Sequence, residues 1–156
     1  MSHTTDVEVG GEARAQRMAA GAAGISLEVA LVRLSHLVQR VFAEVSRDHD
    51  LTPQQTQLLC RLVDGPVGMA DLGRMLDLEK SGLSGLVDRV ESRGLVARTR
   101  SDRDRRAYQV ALTTAGLQVG TTAHDGVISR LGEYVGDTAQ DDRQHLTTLI
   151  TRMLDN

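Results

Sequence analysis

The chain has a single cysteine, Cys60, no tryptophan and only three aromatic side chains: Phe42, Tyr108 and Tyr134. One thiol excludes an intrachain disulfide framework and a cysteine-based zinc ribbon. Scarce aromatics argue against binding single-stranded nucleic acid by base stacking, which needs exposed aromatic platforms. They also require an aliphatic core, built largely from Leu and Val. No stretch approaches the ~18 apolar residues of a membrane span. The N-terminus has no recognisable signal peptide. The expectation is a cytoplasmic protein with no membrane partner. A GxSxG elbow, a P-loop, a dinucleotide fingerprint and a metal-ligand cluster are all missing. His36, His49, His124 and His145 are scattered without ligand spacing. Neither an enzyme, a metal site nor a cofactor is expected.

The net charge of -3 looks unfavourable for a nucleic-acid binder, whose affinity comes mostly from neutralising phosphates. Its distribution reverses that impression. Residues 80–106 carry eight basic side chains (Lys80, Arg89, Arg93, Arg98, Arg100, Arg103, Arg105 and Arg106) against four acidic ones, while the remainder holds ten basic and seventeen acidic. A basic segment on an acidic body is a directed electrostatic footprint. A solvated charged face is the alternative that charge alone leaves open.

Periodicity predicts a mainly α (α+β) chain. Residues 1–24 read as a flexible arm. Residues 25–50 form a long helix whose Leu27, Leu31, Leu34, Val38, Val41 and Val45 make a continuous apolar seam. Ile25, Val32, Leu37 and Phe42 widen that seam, suggesting a second subunit as well as the chain's own core. Thr52, Pro53 and Gln55 spell a capping box with Pro at the first helical position. Gly65–Pro66 stops that helix. A short helix over about 70–76 buries Leu72, Met75 and Leu76, with Gly73 marking close approach of another helix. A helix over about 80–92 buries Leu83, Leu86, Val87 and Val90, turning Lys80, Ser81, Gly82, Ser84, Gly85, Asp88 and Arg89 outward. Gly94 ends it in a left-handed conformation. Two strands, 95–100 and 107–112, flank the SDRDRR tip. Helices over about 114–135 and 138–154 close the chain, the first with Gly120, Gly126 and Gly132 permitting a kink or tight packing.

Two short helices followed by an arginine-tipped hairpin make a winged helix-turn-helix with a two-stranded β-wing, here over residues 51–113. A helix N-terminus favours phosphate, and small side chains at Ser81 and Ser84 admit the helix deep into the major groove. Arginines on a thin ribbon suit a narrow minor groove.

The carrying residues ADLGRML, EKSGLSGLVDRVESRGLV and DRDRRAYQVALTTAG resemble the winged helix of the multiple-antibiotic-resistance regulator (MarR) family, and the helix order resembles it over about 25–154. The resemblance implies a homodimer formed by the first helix (25–50) with the last two (114–156). It also implies a palindromic double-stranded DNA operator, repression or less often activation, and release by a small-molecule effector or oxidant. The effector's residues are not identified. By the same resemblance Lys80, Ser81, Ser84 and Arg89 match recognition-helix positions. Arg106 matches the wing arginine that enters the minor groove, Arg103 and Arg105 are further phosphate or groove contacts, and Asp104 orients the wing. Gly82 and Gly85 depart from the larger polar residues of relatives, which shifts base reading to Ser81, Ser84 and the wing. Glu79 is expected to turn toward Lys80 or an arginine. Cys60, among Leu58, Leu59 and Leu62 without a cationic cluster, reads as structural rather than redox-active. A winged-helix protein-interaction module without specific DNA binding is the alternative function.

Arg106→Ala is expected to weaken operator binding by about 1–3 kcal/mol with little loss of fold. Affinity of the variant for operator DNA checks this, and an unchanged value removes the wing from the mechanism.

Overall fold

The structure, a computed structural model, describes residues 24–100 and 107–155. The SDRDRR tip, and all of the N-terminal arm but Gly24, lie outside the described residues. The chain divides into two compact units, Met1–Val38 and Gln39–Asn156, and the division falls within the first helix, α1 (Leu27–Asp48). In the first unit Ile25, Leu27, Val29, Val32 and Leu34 are exposed. In the second, Val41 and Val45 are buried with Ala123 and Val127, and Phe42 and Leu131 pack against them. The apolar seam of α1 is thus covered by the chain itself only in its second half.

From α1 the chain enters α2 (Pro53–Leu62) through Asp50, which sits in the left-handed region at φ 53°. The expected capping box is present. The Thr52 hydroxyl accepts from the Gln55 N–H at 3.2 Å, and Gln55 Oε1 accepts from the Thr52 N–H at 3.1 Å. Each bond satisfies a donor that the helix itself cannot. Ser46 of α1 and Thr56 of α2 share a buried hydroxyl–hydroxyl bond of 2.7 Å, and both hydroxyls also bond carbonyls one helical turn back. Buried polar groups are tolerated when so satisfied, and this pair fixes the α1–α2 corner.

The main core lies in the second unit. Leu58, Leu59 and Leu62 of α2 meet Leu72, Leu83, Leu86, Val87, Val90, Val96 and Val110, and as the scarcity of aromatics requires, the buried core is aliphatic. These residues belong to α3 (Met69–Leu76), α4 (Lys80–Ser92), β2 (Val96–Arg100) and β3 (Tyr108–Leu112). The sheet is antiparallel with strand order β1-β3-β2, pairing Val96 with Leu112, Arg98 with Val110 and Arg100 with Tyr108. Its third strand, β1 (Val67–Gly68), extends the expected two-stranded wing at the base by pairing with Val110 and Gln109. Two residues are too few to show a strand period.

Helix α5 (Thr114–Val135) starts where Thr113 joins the sheet to the helix. Its hydroxyl donates to the Gly94 carbonyl at 2.6 Å and accepts from the Gly116 N–H at 3.0 Å. Gly120 and Gly126 pack tightly, as expected: a Cβ on them would meet Leu59 Cβ at 3.5 Å and Val45 Cγ1 at 3.6 Å. Gly132 has nothing within 4 Å, so its place is not explained by packing within the chain. The tightest glycine is Gly116, where a Cβ would lie 1.7 Å from the Leu95 carbonyl oxygen. Helix α6 (Gln140–Leu154) buries no residue at all. Its Leu146, Leu149, Met153 and Leu154 are exposed.

Because the obstacle at Gly116 is backbone rather than a flexible side chain, Gly116→Ala should destabilise the fold by about 3 kcal/mol. Urea unfolding of the variant against wild type measures this. Gly132→Ala, with open space around it, should be neutral or slightly stabilising through helix propensity.

Candidate nucleic-acid interface

Helix α3 stops at Asp77, whose φ of 51° is left-handed. The Leu78 N–H then donates back to the Gly73 carbonyl at 2.9 Å. This turn explains Gly73, where a Cβ would lie 3.1 Å from the Leu78 carbonyl oxygen and 3.8 Å from Leu83 Cδ2. The close neighbour is thus the backbone of the turn, with the next helix just behind it. Met75, expected inward, is 51% exposed. Leu72 faces the core squarely and Leu76 flanks it, which leaves Met75 on the opposite flank of a helix too short to bury both sides.

Helix α4 is oriented by its inner face. Leu83, Leu86, Val87 and Val90 are all at most 2% exposed, and their spacing places them along one side. The other side follows by geometry. Lys80, Ser81, Gly82 and Arg89 are exposed, and Ser84 and Gly85 are partly so. Four of the residues predicted to touch DNA, Lys80, Ser81, Ser84 and Arg89, therefore share the outward side of one helix. Glu79 caps α4 by its backbone alone and makes no side-chain capping bond. It forms no ion pair among the described residues, so the expected contact with Lys80 or an arginine is not there. A cleft of about 710 Å³ between α3 and α4 opens beside this first turn, lined by Met69, Gly73, Lys80, Leu83 and Ser84 among others. Arg103, Asp104, Arg105 and Arg106 lie outside the described residues.

The basic residues of this segment divide into two kinds. Arg93 donates to the Asp50 carbonyl at 2.7 Å and to Gln55 Oε1 at 3.3 Å, tying the end of α4 to the α1–α2 corner. Arg98 of β2 reaches back to α4. Its Nη2 donates to Asp88 at 2.5 Å, its Nη1 donates to Glu91, and its backbone N–H donates to Glu91 Oε1 at 3.0 Å. Burial opposes the Arg98 charge, but hydrogen bonds from both carboxylates outweigh it and push the guanidinium pKa up. Lys80 and Arg89, by contrast, have no ion pair among the described residues. The Arg98 cluster is a feature that sequence reasoning missed, counting Arg98 simply as basic and Asp88 as outward. The available signal was the spacing of Asp88 and Glu91, three apart and so neighbours on the helix surface.

With the fold and this face described, likeness to known proteins can be assessed. Residues 49–107 match the model of the MarR family. The transcriptional activatory protein BadR of Rhodopseudomonas palustris is 29% identical over 131 residues, covering 81% of this chain and 75% of BadR. The chain belongs to the MarR family. Members are DNA-binding transcriptional regulators rather than enzymes. The transcriptional repressor CouR, solved bound to a 23-mer DNA duplex, superposes with a TM-score of 0.68 at 27% identity, covering 83% of this chain and 92% of CouR. NadR, solved in complex with 4-hydroxyphenylacetate, shares the fold with a TM-score of 0.72 at 21% identity, over 83% of this chain and 93% of NadR. This MarR-family regulator has no helix, among the described residues, long and apolar enough to cross a membrane.

Cys60 of the regulator is half-buried, and burial pushes its thiol pKa up, with Arg61 only partly offsetting this. A raised pKa leaves less reactive thiolate at neutral and mildly alkaline pH. Native protein should therefore be alkylated by iodoacetamide more slowly than a free cysteine at pH 8, and urea should abolish the difference. Mass spectrometry of the time course tests this, and alkylation faster than the free thiol would reopen a redox role.

Proposed function

We propose that this chain is a homodimeric, sequence-specific regulator that binds a palindromic operator, most simply as a repressor. Helix α4 enters the major groove, where Ser81 and Ser84 read base edges and Lys80 and Arg89 neutralise phosphates. The wing, residues 101–106, enters the minor groove with Arg106, while Arg103 and Arg105 hold its flanks and Asp104 orients the arginines. The observation that carries this reading is the outward side of α4. It offers small polar groups, two cations without ion pairs among the described residues, and no bulky apolar side chain. Base edges differ in the major groove, and phosphate binding needs such cations.

A second copy of the chain is the natural cover for α6. That helix has an exposed row of Leu146, Leu149 and Met153 and buries nothing, a pattern expected of a surface with a protein partner. A dimer presents two recognition helices, which is what a palindrome requires. A small-molecule effector that releases the DNA is the regulatory half of the proposal, and NadR's complex with 4-hydroxyphenylacetate supports it by analogy of fold.

Fluorescence anisotropy on the DNA flanking the protein's own gene, over a salt series and against unrelated DNA, tests the reading. Nanomolar preference for the flanking DNA with a steep salt slope is the expected result. Binding indifferent to sequence, there and after selection from random DNA, would instead favour a protein-interaction module. Leu149→Glu should convert the dimer to monomer in sedimentation experiments at micromolar concentration. It should weaken operator binding while leaving the lobe folded by circular dichroism. A variant that stays dimeric would place the interface elsewhere.

A further inference from the structure

The α4–β2 cluster does more than join a strand to a helix. Arg98 is 24% exposed in its side chain, and it gathers two carboxylates that both arise from the recognition helix. Its Nη2 also lies 3.4 Å from the Ser84 carbonyl oxygen. Asp88 directly precedes Arg89 in the sequence and stands one turn beyond Ser84. A free carboxylate at that place would sit within a Debye length, roughly 8–10 Å, of any phosphate that Arg89 contacts. Its repulsion would oppose the attraction on which binding relies. The planar guanidinium can hold both acids at once, which the single ammonium of lysine cannot do with the same geometry.

We infer that Arg98 is a positioning residue for DNA binding, drawing the Asp88 and Glu91 carboxylates back toward β2 so that Ser84 and Arg89 meet DNA without two competing negative charges. The inference rests on the regulator reading above. With Arg98 in place the trio carries one net negative charge; without it the trio carries two, and neither acid is tethered. A cluster that served only to staple β2 to α4 would have the same contacts but a different dependence on charge.

Three variants separate the two roles: Arg98→Ala, the pair Asp88→Asn with Glu91→Gln, and all three changes together. Binding is read by anisotropy on a duplex that the wild-type protein selects from random DNA, with folding followed by circular dichroism. Charge withdrawal predicts an order set by net charge. The Asp88/Glu91 pair variant binds at least as tightly as wild type, Arg98→Ala binds roughly tenfold more weakly, and the triple variant recovers most of that loss. A pure staple predicts that wild type binds tightest and that the triple variant is no better than Arg98→Ala, which would overturn the inference. If Arg98→Ala fails to fold, the pair variant decides by itself. Equal or tighter binding supports charge withdrawal, and weaker binding overturns it. Should wild type select no sequence, the regulator reading falls first and takes this inference with it. A selecting wild type with the opposite variant order sinks the inference alone.

Discussion

The four aliphatic side chains on the inner side of α4 are the constraint on which the interface depends. Leu83, Leu86, Val87 and Val90 are removed from water almost entirely, and each contributes about 1.5–3 kcal/mol of gross stabilisation by burial. Rotating the helix by even a quarter turn would expose part of that row. The positions of Lys80, Ser81, Ser84 and Arg89 are therefore set by residues that will never touch a ligand. The aliphatic core beneath, with Leu58, Leu59 and Leu62 of α2 and Leu72 of α3, gives that row a shape to fit. Such close packing makes the orientation of α4 unique.

Around that core the charged residues are divided by task. Arg93 and Arg98 are spent inside the lobe, one on the α1–α2 corner and one on the acids of α4. Lys80 and Arg89 remain available at the surface. A segment whose charge looks uniform in sequence is thus heterogeneous in space, and its positive field is narrower than a count of arginines suggests. The same economy shows in the apolar residues. The second half of α1 is covered by α5, while the row on α6 is left exposed, as an oligomeric regulator of this family would leave it.

How much of this was legible beforehand depends on the range of the interaction. Local signals were read correctly. Thr52 and Gln55 form their capping box, α4 spans Lys80–Ser92 and α5 spans Thr114–Val135, and Gly94 is left-handed at φ 72°. Each of these depends on neighbours within about one helical turn. The misreadings concern distance in the chain. Met75 has the right spacing for an inward residue, but no partner is present on its side. Strand β1 exists only because Val110 and Gln109 lie beside it. Gly116 gave no hint of the Leu95 carbonyl that forbids a side chain there.

The amino-acid sequence by itself determined the order and length of the helices, the aliphatic character of the core, and the winged-helix class. Those properties follow from periodicity, capping and composition. Which arginines are free and which are engaged was decided only by the tertiary structure. An arginine's role depends on the carboxylates and carbonyls within reach of its guanidinium, and for Arg98 and Arg93 these come from elements as many as 43 residues away in the chain.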